Sequence, residues 1–330
     1  MSAEEQGRVR LPAAAAHDLA LRALRGGGFD EEEAVALAEH MLEAALCGYE
    51  YSGLPKVLNV VEFRRGRPVE GPMRLRRETP LSAAFDGAGR NGMYTVKRAT
   101  EVAIAKAQDS GFALVGVNNT WMSGRSAHYV EMIARAGLVG IHTVSARHVV
   151  APPGAARAAM GTNPIAFGFP TEGDPLLVDV GMSTLMFTDL ALRVRRGESL
   201  PPGLALDAHG VSTQDPAAAQ RGAVLFFGGH KGFALALAMQ ALGVLAGSAE
   251  DPDGAGYLVM AFKPDLLVPA AEYRTALAVS LAAVKATPKL PGIGQIRLPS
   301  ERSYAERARN LREGIEIDRD IHDRLVALAG

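Results

Sequence analysis

The sequence contains a single cysteine, Cys47, and only 6% aromatic residues. One cysteine cannot form an internal disulfide, and no histidine or cysteine cluster with metal-ligand spacing accompanies it. The 35 basic and 36 acidic residues nearly cancel, so no overall basic field attracts nucleic acid or an anionic membrane. The longest apolar stretch, residues 232–247, is shorter than the roughly 20 residues that cross a bilayer. We therefore expect neither nucleic acid nor a membrane as a partner.

The first twelve residues, MSAEEQGRVRLP, are charged and carry no apolar core. This start predicts that the protein has no secretion signal and is cytoplasmic. A chain of 330 residues, 48% of them hydrophobic, can bury a large core in one domain or in two interleaved domains. The 36 glycines and few aromatics favour helices and tight turns over an all-β sandwich.

Hydrophobic periodicity predicts helices and strands that alternate along the chain. We predict helices as a pair within 12–47, at 54–65, 96–110 and 125–136, around 190–196, at 232–247 and 270–287, and as a second pair within 302–329. We predict strands near residue 82 and at 112–120, 138–145, 176–180, 256–264 and 295–299. The glycine- and proline-rich stretches 149–170 and 201–216 are predicted loops. The nearly all-apolar helix at 232–247 is expected to be buried on most sides. This alternation predicts an α/β fold.

Three short segments point to ligand binding. GGHKG (228–232) places two glycines before His230 and Lys231 at the head of a helix, where open N–H groups, the helix dipole and a lysine suit a phosphate. GTNP (161–164) fixes a turn, and VDVGMS (178–183) ends a strand at glycine, where the backbone can approach a ligand. The structural alternatives are a solvated lysine and an ordinary turn. GAGRNG (87–92) lacks the acidic residue of a dinucleotide fingerprint, so a turn is the better interpretation there.

Taken in order, these segments resemble the type-2 malate/L-lactate dehydrogenase family. CGYEYSGLPK, NNTWMSGRSAHY, AGLVGI and QIRLPSERS extend the resemblance over essentially the whole chain. Members are NAD(P)-dependent oxidoreductases that act on malate, lactate, sulfolactate, ureidoglycolate or cyclic imino acids. VDVGMS and QIRLP are most similar to the 2,3-diketo-L-gulonate reductases of this family.

The resemblance implies a non-Rossmann NAD(P)-binding α/β fold, with helical N- and C-terminal parts packed around a central sheet domain. Residues 1–80 with 290–330 would form a helical domain for substrate contact and dimerisation, and residues 81–289 the NAD(P)-binding domain. It also implies a homodimer. NADPH or NADH would lie along a set of residues that comprises Thr162, Asn163, Asp179, Gly181, Met182, Ser183, His230, Lys231, Pro299, Ser300 and Glu301.

Two histidines that serve the family as proton donor or acceptor are absent. The family's S-H-G motif, with an arginine three residues later, is here Tyr51-Ser52-Gly53 with Lys56. The second histidine of the family falls on Met122. Reduction of a ketone needs a proton donor, whereas a protonated imine already carries its proton. The departures therefore favour C=N reduction.

Replacement of the missing acid is the alternative, with Tyr51 or Lys56 as the leading candidates. Tyr49, His128 and His148 are others, although packing is the preferred role for His128, His142 and His148. Lys56 keeps the positive charge of the family's arginine but loses its bidentate fork for a carboxylate. We expect a reductase of a 2-imino or 2-oxo acid, in specialised metabolism. Two further readings are a 2-hydroxy acid dehydrogenase with a replaced donor and a non-redox binding protein on the same fold.

Overall fold

The computed structural model describes residues 7–251 and 254–330. The prediction made from residues 1–6 lies outside this part of the chain. The helices are α1 Ala13–Gly26, α2 Glu31–Leu46, α3 Pro55–Arg64, α4 Gly92–Ser110, α5 Ala127–Arg135, α6 Phe187–Arg196, α7 Pro216–Arg221, α8 His230–Leu245, α9 Ala270–Ala286, α10 Glu301–Glu313 and α11 Arg319–Ala329. The strands are β1 Arg8–Leu11, β2 Arg74–Thr79, β3 Ser82–Asp86, β4 Phe112–Asn118, β5 Val139–Ser145, β6 Ile165–Phe169, β7 Leu176–Val180, β8 Ala205–Leu206, β9 Ala223–Val224, β10 Gly256–Phe262 and β11 Ile315–Asp318.

A seven-stranded mixed sheet forms the centre of the molecule, in the order β2-β3-β4-β10-β5-β6-β7. Strands β3 and β4 are parallel, and the other neighbours are antiparallel. Because β10 runs antiparallel to both β4 and β5, its first residues lie beside the last residues of those two strands. The last residues of β4 and β5 and the first residues of β10 therefore meet at one edge of the sheet, where these central strands end or begin.

Helices α1, α2, α3 and α11 share a hydrophobic core that is separate from the sheet and includes residues of β11; we call it the helical core. The break between α1 and α2 lies where the sequence predicts it. Gly27 follows the end of α1, and at the start of α2 the Asp30 carboxylate accepts the Glu33 N–H at 3.0 Å. The predicted pair of C-terminal helices is present as α10 and α11. Strand β11 lies between them and pairs with β1, which joins the two ends of the described chain.

Three predictions about secondary structure are wrong. Residues 165–169, predicted as part of a loop, form β6, because β5 and β7 supply hydrogen-bonding partners on both sides. Residues 295–299, predicted as an edge strand, form no strand and pair with no neighbour among the described residues. Five other strands were not predicted. Charged residues make up most of β2 and every second residue of β1 and β11, and β8 and β9 have two residues each.

Helix α8 is also less buried than its apolar sequence predicts. Only Gly232, Ala236, Met239 and Gly243 are buried, because one narrow face packs on β5 and β10. Several large side chains face outward: Leu235, Leu237, Val244 and Leu245. Helix α9 has no buried residue at all. No helix within the described residues is long and apolar enough to cross a membrane.

Candidate active site

A cleft of about 180 Å³ lies between the helical core and the edge of the sheet where β4 and β5 end. Its walls come from α3, the loops after β4 and β5, the GTNP turn, the start of α6 and the start of β10. The lining residues that decide its chemistry are Lys56, Phe63, Arg67, Trp121, Met122, Arg147, Thr162 and Phe187. A larger pocket of about 410 Å³ lies beside β1, β11 and α10. Half of its lining residues are charged, and none of the predicted site residues lines it.

Helix α3 brings Lys56 into this cleft. Pro55 occupies the first turn of α3, where its missing N–H has no cost, and Lys56 follows it. The lysine is 4% exposed, and burial lowers the pKa of its ammonium to about 8. Phe63 lies seven residues later, two helical turns along the same face. The cleft therefore holds a cation that is readily deprotonated in mildly alkaline solution.

The loop after β4 places Met122 in the cleft with a left-handed backbone, φ +58°. A buried histidine supports this loop from behind: the His40 Nε2 accepts the Arg125 N–H at 2.8 Å. A side chain at Gly124 would meet that ring, since its Cβ would lie 2.3 Å from the His40 Nε2. The loop geometry therefore depends on glycine at 124 and histidine at 40.

Neither of the histidines considered as proton donors, His128 and His148, lines the cleft within the described residues, and His142, expected to have a packing role, does not line it either. His128 stacks on His40 with ring centroids 4.5 Å apart, and burial lowers its pKa to about 4. The His142 Nδ1 lies 3.0 Å from the Leu258 carbonyl oxygen, and burial lowers the pKa of this ring to about 4 as well. His148 is exposed. The rings of His128 and His142 are thus neutral near pH 7.

The structure does not place Tyr51 or Ser52 in the cleft lining. Both belong to a single 3-10 turn, Glu50–Ser52, in which Ser52 is buried. Burial, followed by the negative charge of Asp179, raises the pKa of the Tyr51 hydroxyl to about 12. Of the four predicted catalytic positions, Lys56 and Met122 line the cleft.

Backbone hydrogen bonds join three of the predicted cofactor segments. The Met182 N–H donates to the Thr162 carbonyl at 2.9 Å, and the Met182 carbonyl accepts the Phe227 N–H at 3.1 Å. The buried Asn163 amide donates to the Ala236 carbonyl on α8 at 3.1 Å. The GTNP turn, the end of β7 and the GGHKG segment are therefore neighbours, although they lie far apart in the sequence.

The remaining predicted cofactor residues surround the same strand. The Asp179 carboxylate accepts the Ala127 N–H at 2.8 Å, at the start of α5. The Ser183 hydroxyl donates to the Leu185 carbonyl, beside Gly181. The Ser300 hydroxyl donates to the Leu177 carbonyl on β7 at 2.7 Å, which fixes the Pro299-Ser300-Glu301 turn next to that strand. Glu301 itself forms an ion pair with Lys285.

The head of α8 fits an anionic ligand. Gly228 and Gly229 have φ +57° and +58°, and a Cβ at either would meet nothing within 4 Å. The glycine pair leaves the backbone open at the positive end of a 16-residue helix. His230 and Lys231 are exposed on its first turn. The arrangement suits a phosphate group of a dinucleotide.

The comparisons with known proteins give the family of this chain and, with it, the class of protein. The sequence profile of malate/L-lactate dehydrogenase matches residues 11–326, so the chain belongs to the malate/L-lactate dehydrogenase family. It is an NAD(P)-dependent oxidoreductase. We find no group of three potential metal-ligating side chains in the part of the chain that the structure describes.

Relatives with two different chemistries are similar over almost the full length. The chain is 31% identical to an L-sulfolactate dehydrogenase of Methanothermobacter thermautotrophicus over 313 residues, which cover 91% of this chain and 90% of that protein. It is 33% identical to Δ1-pyrroline-2-carboxylate reductase 2 of Burkholderia multivorans over 329 residues, covering 94% and 95%. A dehydrogenase structure from Sinorhizobium meliloti superposes with a TM-score of 0.89 at 30% identity, covering 98% and 99%.

Sequence reasoning missed several cleft residues. Phe63, Arg67, Arg147 and Phe187 line the cleft but belong to no recognised motif. The seven-residue spacing from Lys56 was the one signal for Phe63. Arg147 lies on the loop after β5 and Phe187 at the start of α6, so the fold alone brings them together.

Proposed function

We propose that this protein is an NAD(P)H-dependent reductase of a 2-imino acid, with a cyclic imine as the preferred substrate. The lining of the cleft carries the proposal. Within the described residues, the lining contains no imidazole and no carboxylic acid, and Lys56 is its buried cation. Lys56 binds the substrate carboxylate. A protonated imine brings the proton that its nitrogen needs, so no positioned acid is required.

The dinucleotide supplies the hydride to the substrate carbon when it is bound. We propose that the linked segments hold it: Thr162 and Asn163 near the nicotinamide, Asp179 to Ser183 along β7, the head of α8 at a phosphate, and residues 299–301 at the far side. The open backbone at Gly228 and Gly229 supports this assignment. Similarity to pyrroline-2-carboxylate reductases supports the imine substrate.

A 2-oxo acid is the second candidate substrate, and its reduction needs a proton donor from the protein. The position of Lys56 in the cleft favours this lysine over Tyr51 as that donor. Lys56 lines the cleft with a pKa of about 8, so its ammonium is populated at neutral pH and can release a proton to a developing alkoxide. Tyr51 lies outside the lining with a pKa of about 12.

We also propose a homodimer that covers α8 and α9. Both helices keep apolar side chains exposed, among them Leu237 and Val279. Isolated soluble chains rarely leave such surfaces open.

The proposed function is tested by comparing kcat/KM for pyruvate and for Δ1-pyrroline-2-carboxylate in the native protein and in Met122→His. Histidine tolerates the positive φ at this position better than most residues. The native protein should prefer the imine, and Met122→His should raise ketone reduction by roughly tenfold or more while changing imine reduction little. A native enzyme that reduces both substrates equally well would contradict the imine preference. Absence of any response to NADH and NADPH would contradict the function as a whole.

A further inference from the structure

One wall of the cleft is a ladder of aromatic rings and guanidinium groups, formed by Phe63, Arg67, Trp121, Arg147 and Phe187. Arg67 lies over the Trp121 ring, 5.7 Å from its centroid. The Trp121 and Phe63 rings stack with centroids 6.4 Å apart and planes 19° apart. Arg147 lies 5.8 Å from the centre of Phe63 and 5.5 Å from that of Phe187. All five side chains line the cleft.

The charges in this cleft are one-sided. Lys56, Arg67 and Arg147 line it, and no acidic residue does so among the described residues. Arg147 is exposed, and its guanidinium group lies over two ring faces; it forms no salt bridge to a carboxylate within the described residues. The lining therefore attracts an acid and also offers it an apolar wall of aromatic rings.

Lys56 and the ladder line the same small cavity. A carboxylate held at Lys56 leaves the side group of the acid against the ladder, since Phe63 lies two helical turns from Lys56 on the same face. The stacked rings and guanidinium groups largely cover one another's faces, so the rings meet the cleft mainly through their edges. A methyl group or a saturated five-membered ring would leave most of this apolar wall uncovered. An aromatic side group would pack edge-to-face against the rings, and guanidinium groups over its face would attract its π-electrons.

We propose that the preferred substrate is a 2-imino or 2-oxo acid whose side group is a flat aromatic ring. This inference rests on the proposed function for its reacting group, but the ladder alone carries the choice of side group. Burial of one phenyl ring corresponds to roughly ten- to a hundredfold in affinity or in kcat/KM. Arg147 is then a specificity-determining residue.

Binding is measurable without turnover, because Trp121 is the only tryptophan of the chain and lies in the cleft. Its fluorescence is followed during titration with phenyllactate, lactate and malate in the absence of dinucleotide, so that these hydroxy acids cannot be oxidised. Phenyllactate should bind roughly tenfold or more tighter than the other two. Lactate binding as tightly as phenyllactate would overturn the proposal. Malate binding tightest would also overturn it and would assign Arg147 to a second carboxylate.

Variants identify the residues responsible. Arg147→Met and Phe187→Leu should each weaken phenyllactate binding about fivefold and leave lactate binding unchanged. Arg157→Met is the matched control, since Arg157 is an exposed arginine of the same loop outside the cleft lining. Loss of dinucleotide affinity in Arg147→Met, with phenyllactate affinity unchanged, would place Arg147 at a cofactor phosphate and overturn the proposal.

Kinetics separate this inference from the proposed function. The value of kcat/KM for phenylpyruvate should exceed that for pyruvate by roughly tenfold or more. A reductase that turns over pyruvate as fast as phenylpyruvate would contradict the aromatic side group and leave the reductase function intact. Tight phenyllactate binding without any reduction would contradict the reductase function and leave the aromatic side group intact.

Discussion

Lys56 combines two properties that normally exclude one another: it is a cation, and it is almost fully buried. Burial lowers the pKa of its ammonium to about 8, from an ordinary value of 10.5. The structure thereby keeps a charged group at neutral pH that can bind a carboxylate and can also lose its proton. Arginine, which the family resemblance implies at this position, would supply the charge but not the proton.

The first prediction concerns pH. Ketone reduction by the native protein should fall as the pH rises past about 8, because the neutral amine of Lys56 neither donates a proton nor binds a carboxylate. Lys56→Arg should lower kcat for the ketone roughly tenfold or more, keep most of the imine activity and remove this alkaline decline. Profiles of kcat/KM against pH for both substrates check this. An unchanged ketone profile in Lys56→Arg would exclude Lys56 as the donor.

The second prediction concerns stability. The unfolded chain binds more protons than the native protein between about pH 8 and 10.5, so the buried lysine makes the free energy of unfolding rise with pH across that window. Below pH 8 its full cost is present, on the order of 3 kcal/mol. Lys56→Met should therefore stabilise the protein at pH 7 by about 2–3 kcal/mol, and this gain should fade by pH 10.5.

Denaturant unfolding at pH 7 and at pH 10 measures that gain. Lys289→Met is the control, because Lys289 is exposed and its replacement should change stability little. A destabilised Lys56→Met protein at pH 7 would show that the ammonium has favourable partners that offset its burial.

Among the single elements, the first turn of α8 is the one whose proposed role a measurement of dinucleotide binding tests most directly. Lys231→Ala should weaken binding of NADH or NADPH by about 1.5–3 kcal/mol, if the lysine forms a charge-assisted bond to a phosphate. Calorimetry gives the affinity, with Lys289→Ala as a control for loss of an exposed positive charge. Equal affinity of Lys231→Ala and native protein would remove the head of α8 from the cofactor site.

Elements defined by local chemistry were predictable from the sequence. The break between α1 and α2 follows from three consecutive glycines and the Asp30 cap. Strand β6 was not predictable in this way, because it is five residues long and lies between two prolines. Its existence depends on β5 and β7. The alternation at 295–299 predicted a strand, but no described neighbour offers an edge for it.

Residues of the candidate site likewise fall into those that local sequence motifs predict and those that only the fold brings together. Lys56, Met122 and Thr162 line the cleft and were found through motifs that are continuous in the sequence. The ladder was missed because its members come from α3, three separate loops or turns, and the start of α6. Long-range packing of the sheet edge against α3 assembles it, and no local pattern encodes that packing.

At the scale of the whole molecule, we propose two structural units: residues 1–80 with 290–330, and residues 81–289. The helical core supports this division, since most of its buried residues come from α1, α2, α3, β11 and α11. Met93, Trp121 and Leu192 also enter that core from the other unit. The cleft therefore lies where the two proposed units share apolar contacts.

The last prediction concerns the assembly of two chains. Leu237 and Leu245 on α8 are 53% and 72% exposed, and α9 has no buried residue. A helix that is apolar on all sides is stable in water only when its faces are covered. Since the described chain leaves these faces open, a second copy is the covering surface that we propose.

Light scattering at micromolar concentration should give twice the 34.8 kDa mass of one chain. Leu237→Lys combined with Leu245→Lys should shift the protein towards the single-chain mass, because buried charges without partners oppose association. Val211→Lys is the matched control: Val211 is 61% exposed and belongs to neither α8 nor α9. A native mass near 34.8 kDa would contradict the dimer. Dissociation of the Val211→Lys protein would place the interface at the loop that contains Val211 instead.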